Sequence, residues 1–255
     1  MATIWLTGDT HSDVRRLNNE SFYEQKEFTN QDENFVIVLG DFGLVWEAEE
    51  SRNETYWLNW MENKNFTTLF CDGNHENFDR LNSMPVTEWH GGSVHRIRPH
   101  VLHLMRGQVF NILGKKFFTF GGARSHDISD GILDAADPEW KEKSKELKKD
   151  GKYMYRVKGL SWWEQELPTE EEMQTGYDNL AKNDYKVDYV LTHSPCTSDL
   201  MLMKNGTCET DVLTDYLEEV RCQTDYREWY FGHMHENRVV SDKGICLFEQ
   251  IMRIL

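Results

Sequence analysis

Short apolar runs, each ending in a cluster rich in Gly, Asp, Asn or His, recur five times along the chain. The five segments are TIWLTGDTH (3–11), FVIVLGDFG (35–43), TTLFCDGNHE (67–76), VDYVLTHSP (187–195) and WYFGHMHEN (229–237). Each apolar run has the length of a strand buried on both faces rather than that of a helix. The pattern therefore predicts five buried strands, each followed by a loop of polar residues.

The segments between these strands are typical of helical crossovers. Residues 12–28 predict a first helix with Ser12 as its N-cap, and residues 50–65 predict a second. The second segment places four apolar side chains on one helical face: Tyr56, Trp57, Trp60 and Met61. We expect this face to pack in the core. Strands that alternate with helices favour a parallel or mixed sheet.

From Val101 onward the runs VLHLM, QVFNIL and KKFFTFGG are broken by Arg106-Gly107 and Gly114-Lys115, a pattern typical of antiparallel hairpins. The C-terminal residues repeat it around Lys243-Gly244. Two strand-rich blocks thus flank a helical middle. We predict an α/β fold in which two mixed sheets, flanked by helices, form a four-layer α/β/β/α sandwich.

We predict a single domain over residues 1–255, with a helical, Lys-rich insert around 127–180. Residues 137–159 are rich in Lys although the protein as a whole is acidic. A solvated surface helix that ends at Asp150-Gly151 is the favoured interpretation, and a basic lid over an anion site is the alternative.

Charge and cysteine content restrict the possible functions. The chain has 28 Lys and Arg against 44 Asp and Glu, a formal charge of −16, which disfavours sequence-independent binding to nucleic acid. Five cysteines without a CxxC pair predict reduced thiols and a cytoplasmic location. No basic and apolar leader and no apolar run of membrane-spanning length is visible, so we expect neither export nor membrane insertion.

Eight polar residues follow the five predicted strands: Asp9, His11, Asp41, Asn74, His75, His193, His233 and His235. In α/β folds, ligands collect at the carboxyl ends of strands, so we expect these side chains to converge. They exceed what one tetrahedral ion needs and suit two divalent ions sharing a carboxylate. Nitrogen and oxygen ligands without thiolate indicate Mn, Fe, Zn or Co, with Mn favoured.

We expect different roles for the other five histidines. We expect packing or surface roles for His90, His95, His100 and His103. The segment FTFGGARSHD (118–127) places Arg124 and His126 after two glycines. An arginine fork suits phosphate oxygens, so Arg124 is a candidate substrate-binding residue, with a structural salt bridge as the alternative.

The motifs GDTH, GDFG, GNHE, THSP and GHMHEN, in this order over residues 8–237, resemble the five motifs of the calcineurin-like metallophosphoesterase superfamily. The resemblance implies that Asp9, His11 and His235 bind a first metal ion, and that Asn74, His193 and His233 bind a second. It further implies that Asp41 bridges the two ions and that His75 is the catalytic histidine.

The order GGA, Ser, Asp, Arg, Gly and SWW resembles a bacterial and phage subgroup of these enzymes. This resemblance implies that Arg156 and Trp162 or Trp163 line the mouth of the site, with core packing of the tryptophans as the alternative. The candidate substrate-binding residues are therefore Arg124, His126 and Arg156. The chain departs from the protein phosphatases of the superfamily, because Leu44 and Val45 replace their second acidic residue and arginine. The sequence does not show which residue orients His75.

We therefore expect a dinuclear, metal-dependent phosphoesterase that hydrolyses a small phosphomonoester or phosphodiester by direct attack of a metal-bridging hydroxide. His75 is then the general acid or a cationic hydrogen-bond donor. One alternative is a metal-dependent nuclease, which the acidic charge disfavours. A second is a non-catalytic scaffold that retains the fold, but none of the eight positions is degenerate.

Overall fold

The computed structural model of the protein describes residues 2–255. Its fifteen strands are β1 (Thr3–Thr7), β2 (Asn34–Leu39), β3 (Thr67–Cys71), β4 (Val86–Trp89), β5 (Gly92–Arg98), β6 (Val101–Leu104), β7 (Gln108–Ile112), β8 (Lys115–Phe120), β9 (Gly131–Asp134), β10 (Tyr155–Lys158), β11 (Tyr189–Thr192), β12 (Glu228–Phe231), β13 (Arg238–Val239), β14 (Gly244–Cys246) and β15 (Met252–Arg253). The α-helices are α1 (Arg52–Glu62), α2 (Phe78–Asn82), α3 (Trp140–Lys149), α4 (Glu170–Lys182), α5 (Thr197–Met203) and α6 (Val212–Gln223).

Two mixed sheets bring the five polar loops together. The first has the order β15-β1-β2-β3-β6-β5-β4, with β1, β2, β3 and β6 parallel. The second has the order β13-β14-β12-β11-β8-β7, with β8, β11, β12 and β14 parallel. The five predicted strands are β1, β2, β3, β11 and β12. Within each sheet these strands are adjacent and parallel, so the loops that follow them all leave from the carboxyl ends of the strands.

Three apolar layers hold the sandwich together. Between the sheets, Leu6 and Leu39 pack in one cluster with Phe117 and Leu191. Outside the first sheet, side chains of α1 pack on β2 and β3, and outside the second sheet α4 and α6 pack on β8, β11 and β12. The predicted four-layer α/β/β/α sandwich is confirmed. None of the helices formed by residues 2–255 is both long and apolar enough to span a bilayer.

Two of the predicted helical segments differ from expectation. Residues 12–28 form two short 3-10 helices, and Asp13 rather than Ser12 accepts a hydrogen bond at the first N-terminus. In α1 the buried stripe is Glu54, Leu58 and Met61, while Tyr56 is 61% exposed. Core packing of the whole aromatic face is therefore wrong. The inward position of Glu54 is stabilised because its carboxylate accepts hydrogen bonds from Arg80 at 2.9 Å.

The hairpin prediction holds for β7 and β8, which pair antiparallel around Gly114 in a left-handed conformation with φ +76°. It is wrong at Arg106-Gly107, because the chain there passes from β6 in the first sheet to β7 in the second. Around Lys243-Gly244, β13 and β14 form the expected antiparallel pair.

The Lys-rich segment contains more than helices. Helix α3 ends at Lys149, with Asp150 as its C-cap and Gly151 next at φ +73°, and it buries only Ser144 among its own residues, as a solvated surface helix does. It lies between β9 and β10, which form a separate two-stranded parallel sheet that the sequence pattern did not predict. This small sheet carries Arg156, which contacts His75 in the loop after β3.

Candidate metal centre

The polar loops of the two sheets meet because side chains in the loops of each sheet form hydrogen bonds with backbone groups of the other sheet. The Asp9 carboxylate, after β1, accepts a hydrogen bond from the backbone N–H of His233 at 3.0 Å, after β12. The imidazole of His193, after β11, donates from Nδ1 to the carbonyl of Leu39, at the end of β2, at 2.7 Å. The predicted convergence of ligands at the strand ends is therefore present in the fold.

Glycines in these motifs leave room for the site. A Cβ at Gly40, which has φ +93°, would collide with the His193 imidazole, and a Cβ at Gly73 would collide with the Asp41 carboxylate. Each glycine thus precedes a polar loop at a point where another loop approaches too closely for any larger residue.

Four of the predicted ligands adopt left-handed backbone conformations that residues other than glycine rarely adopt: His11 (φ 44°), Asp41 (φ 46°), His233 (φ 62°) and His235 (φ 50°). Each such conformation costs about 1–3 kcal/mol and is retained where the surrounding structure over-determines it, commonly at functional sites. Their concentration in one cluster indicates that the loops are built to aim these side chains.

Asp9, His11 and His235 form a compact group of potential ligands. His11 Nε2 and His235 Nε2 lie 3.0 Å apart, and they lie 3.8 and 3.1 Å, respectively, from Asp9 Oδ2. Ligand atoms at about 2.1 Å from one ion lie within about 4.2 Å of each other. All three separations satisfy this limit, so the group fits a single divalent ion.

Asp41 connects this group to a second one. Its Oδ2 lies 3.7 Å from His11 Nε2, and its Oδ1 lies 3.4 Å from His193 Nε2. Because His193 donates its Nδ1 hydrogen to a backbone carbonyl, Nε2 is the nitrogen that it presents to Asp41, an arrangement common for histidine ligands. Asp41 therefore has one oxygen toward each group.

The electrostatics of this pair favour a cation. Burial alone would lower the pKa of His193, but Asp41 and Asp9 raise it to about 9. Burial alone would raise the pKa of Asp41, but His193 and its hydrogen bond hold that pKa well below its ordinary value. The two buried carboxylates thus create a strongly negative potential at the end of β2, which a divalent ion would neutralise.

Asn74 offers a buried oxygen in the same region. Its Nδ2 donates to Ser125 Oγ at 3.4 Å, and Ser125 in turn donates to Glu166 at 2.6 Å. Asn74 Oδ1 is buried and has no hydrogen-bond partner among the described residues. Such an atom is costly unless it binds a group that the protein itself does not supply. A metal ion fits this orphaned oxygen.

A family model described as calcineurin-like phosphoesterase matches residues 2–237. The chain belongs to this family. Membership supports metal-dependent phosphoester hydrolysis, and the groups of Asp and His described above are candidate ligands for the divalent ions that the family implies. No curated protein sequence matches the chain.

His233 and His75 differ in how they relate to these groups of candidate ligands. The His233 ring lies against His193, with centroids 5.0 Å apart, but its nitrogens join none of the three acid and histidine groups that converge within 4.8 Å in residues 2–255. His75 does join one of them, with His11 and Asp41.

The surroundings of His75 answer a question that the sequence left open. Its backbone N–H donates to Asp41 Oδ1 at 2.8 Å, its ring stacks on Trp46, and its Nε2 accepts from Arg156 Nη2 at 3.2 Å. Burial and the neighbouring Arg156 lower the pKa of His75 despite the opposing charge of Asp41. The neutral imidazole is therefore favoured.

The three predicted substrate residues lie in two different places. Arg124 and His126 line a cavity of about 560 Å³ that borders His233, and the His126 ring stacks on His233 with centroids 4.5 Å apart. Arg156 lies instead beside His75. Trp163 is buried and donates to Asp79, with its ring edge against Trp46, so it supports the wall around His75 from within the core.

Two supporting residues inside the motif TTLFCDGNHE were not predicted from the sequence. Glu76 is buried and accepts hydrogen bonds from the backbone N–H groups of Phe42 and Gly43, which ties the loop after β2 to the loop after β3. Asp72 accepts from Arg106 at 2.6 and 2.9 Å and from His103 at 3.0 Å. Asp72 and Glu76 are visible in the motif as acidic residues, but the groups that donate hydrogen bonds to them lie elsewhere in the chain and are not visible there.

Proposed function

We propose that this chain hydrolyses a phosphate ester with two divalent ions, one held by Asp9, His11 and His235 and the other by Asn74, His193 and His233, with Asp41 between them. The observation that carries the proposal is the position of Asp41, whose two oxygens lie 3.7 and 3.4 Å from the nitrogens of His11 and His193. The mixed nitrogen and oxygen donor set supports Mn, Fe, Zn or Co, and we favour Mn.

Two such ions, when bound, neutralise phosphoryl oxygens and lower the pKa of a coordinated water. The protein's own part is to aim the ligands. The Nδ1 hydrogen bond of His193 fixes which nitrogen faces the centre, and Ser125 holds the Asn74 amide so that its oxygen is free. The left-handed loops complete this preorganisation, which costs nothing at the moment of reaction.

His75 is placed to assist the leaving group. A nitrogen of its ring lies within 4.8 Å of ligand atoms of both His11 and Asp41, so the ring borders the centre. We propose that His75 stabilises the departing oxygen by donating a hydrogen bond from its neutral ring, and that water displaces this oxygen directly without a phosphorylated enzyme.

The cavity beside His233 supports a small phosphorylated compound as substrate. Its volume of about 560 Å³ is within the usual range for small-molecule sites, and its lining includes apolar Leu200 and the cationic side chains of Arg124 and Lys204. We propose that the organic group of the ester lies here, with a monoester or a diester both accommodated. A cytoplasmic location is also proposed, on the cysteine pattern alone.

The test combines metal analysis with two model esters. Protein purified with Mn²⁺ is expected to hold two ions per chain and to hydrolyse p-nitrophenyl phosphate, bis-p-nitrophenyl phosphate or both, with the activity lost after chelation and restored by Mn²⁺. Fewer than two ions and no hydrolysis of either ester would favour a scaffold. Cleavage of DNA or RNA in preference to both esters would favour a nuclease.

Arg124→Ala is expected to raise KM for the ester that the protein hydrolyses about 10-fold or more. The Arg124 guanidinium is about half exposed, and its nearest carboxylate, Glu209, lies 3.7 Å away, so its N–H groups are available to an anion. A hydrogen bond to a charged group contributes about 1.5–3 kcal/mol. Steady-state kinetics test this, with Arg227→Ala as the control because Arg227 is exposed and pairs only loosely with Glu228 at 4.0 Å. An unchanged KM would remove Arg124 from the substrate site.

A further inference from the structure

We propose that Asp127 and Arg156 form a positioning unit for His75, which holds the ring in place and keeps its proton on Nδ1. The proposal rests on the function proposed above, because it assigns a purpose to the position of His75. It also departs from the sequence expectation, which placed Arg156 among the substrate-binding residues.

The unit is a chain of short contacts. Asp127 accepts from Arg156 Nε at 2.8 and 2.9 Å and pairs with Nη2 at 2.7 Å. The same Nη2 lies 3.2 Å from His75 Nε2. Trp46 stacks on the His75 ring at 5.9 Å between centroids, and the backbone N–H of His75 donates to Asp41. The ring is thus held by its backbone, by one face and by one nitrogen.

The donors of Arg156 are almost fully used. A guanidinium has five N–H groups. Nε–H faces Asp127, the two hydrogens of Nη2 face Asp127 and His75, and one hydrogen of Nη1 faces the Ser161 carbonyl at 3.1 Å. Only one N–H is left, whereas bidentate recognition of phosphate requires two parallel donors. The geometry therefore favours positioning of His75 over binding of a phosphoryl group.

The contact also determines the tautomer of His75. Arginine has no lone pair to accept a hydrogen bond and remains protonated in proteins, so Nη2 donates and His75 Nε2 accepts. In the neutral ring the proton must then be on Nδ1. A histidine whose tautomer is fixed in this way presents a single donor nitrogen, as the orienting acid does in other catalytic histidines.

The fold explains where this unit comes from. Leu44 and Val45 are fully buried apolar residues, so the loop after β2 has no side chain at these positions to orient His75. Arg156 lies on β10, paired with Ile132 of β9, and Asp127 lies just before β9. The small parallel sheet therefore supplies Arg156, and the loop that leads into it supplies Asp127.

A double-mutant cycle tests the proposal in the metal-loaded protein. Arg156→Met alone is expected to lower kcat about 10-fold or more, but by less than the 10²–10⁴-fold contribution typical of the acid–base group itself, with little change in KM. In the His75→Ala background the same substitution should cost almost nothing further, because the two residues act as one unit. An equal loss in both backgrounds, or a raised KM with unchanged kcat, would overturn it in favour of substrate binding.

Two variants serve as references. Arg156→Lys keeps the charge and one donor and should recover part of the kcat lost in Arg156→Met. Lys158→Met changes a half-exposed cation on the same strand, whose nearest acid is Glu164 at 3.7 Å, and should leave kcat unchanged. Circular dichroism and metal content establish that each variant is folded and loaded.

The tautomer of His75 can be measured independently of catalytic activity. Nitrogen-15 spectra of histidine-labelled protein, assigned with His75→Ala, should show His75 protonated on Nδ1 at pH 8, and Arg156→Met should raise the fraction protonated on Nε2. An Nε2–H form in the unsubstituted protein would overturn the proposal even if esters are hydrolysed. Conversely, an Nδ1–H form in a protein that hydrolyses no ester would leave the positioning unit standing and remove the proposed function.

Discussion

Asp41→Asn is expected to lower metal content below one ion per chain and to reduce kcat/KM by more than 10²-fold. Asp41 is buried, and its two oxygens face ligand nitrogens of two different groups, so one substitution weakens both ion sites. An amide retains the shape of the side chain but removes the negative charge and one acceptor oxygen. Loss of an indirect partner of a metal ligand already costs about 10–100-fold, and a shared ligand should cost more.

Metal analysis after gel filtration and calorimetric titration with Mn²⁺ measure this effect. Asp225→Asn is the matched control, since that carboxylate is 70% exposed and pairs only with Lys186 at 3.6 Å. Circular dichroism checks that the fold is intact. If Asp41→Asn kept two ions and full activity, Asp41 would not lie between the ions and the arrangement proposed for the centre would be wrong.

The strands that carry the site were predictable because their signal is local. A short apolar run followed by polar residues fixes both the strand and the point where it ends, and five such junctions placed eight candidate residues at one edge. The four-layer arrangement followed from the same alternation of strands and helices. The candidate metal ligands were likewise recognisable, because their selection depends on residue type and order rather than on distant contacts.

The predictions from sequence were wrong where a contact with a residue distant in the chain determines the structure. Glu54 lies inward on α1, where Arg80, on α2, pairs with it and the backbone N–H groups of Trp46 and Glu47 donate to it, and these partners lie outside the helix. The turn at Arg106-Gly107 looked like a hairpin, but Arg106 is buried against Asp72 of the loop after β3. Tertiary contacts of this kind override local preference.

Arg156 illustrates the same limit at the site. The sequence marked it as a candidate residue, but its partner His75 is 81 positions away and its other partner, Asp127, is 29 positions away. The order of residues does not show whether the N–H groups of Arg156 are free to bind the substrate or are already used in hydrogen bonds to neighbouring residues. Only the count of donors in the folded chain distinguishes these two roles.

His75→Ala is expected to reduce kcat about 10²–10⁴-fold while two ions per chain are retained. The ring packs edge to face on His11, with centroids 4.8 Å apart, but it makes no hydrogen bond to a proposed ligand, since the hydrogen bond to Asp41 comes from the backbone N–H, which alanine keeps. The loss should therefore fall on the chemical step rather than on metal binding, which separates His75 from Asp41 in the same assay. Steady-state kinetics together with metal analysis measure both quantities on one preparation.

The size of this loss should also depend on the leaving group. If His75 stabilises the departing oxygen by hydrogen bonding, an ester of p-nitrophenol, which leaves readily as an anion, should lose less activity than an ester of an aliphatic alcohol. His100→Ala is the control, because His100 bonds to Glu62, away from the centre, and should change neither kcat nor metal content. An equal loss for both leaving groups would place His75 in another step, and a loss of metal would make it a ligand, as its grouping with His11 and Asp41 permits.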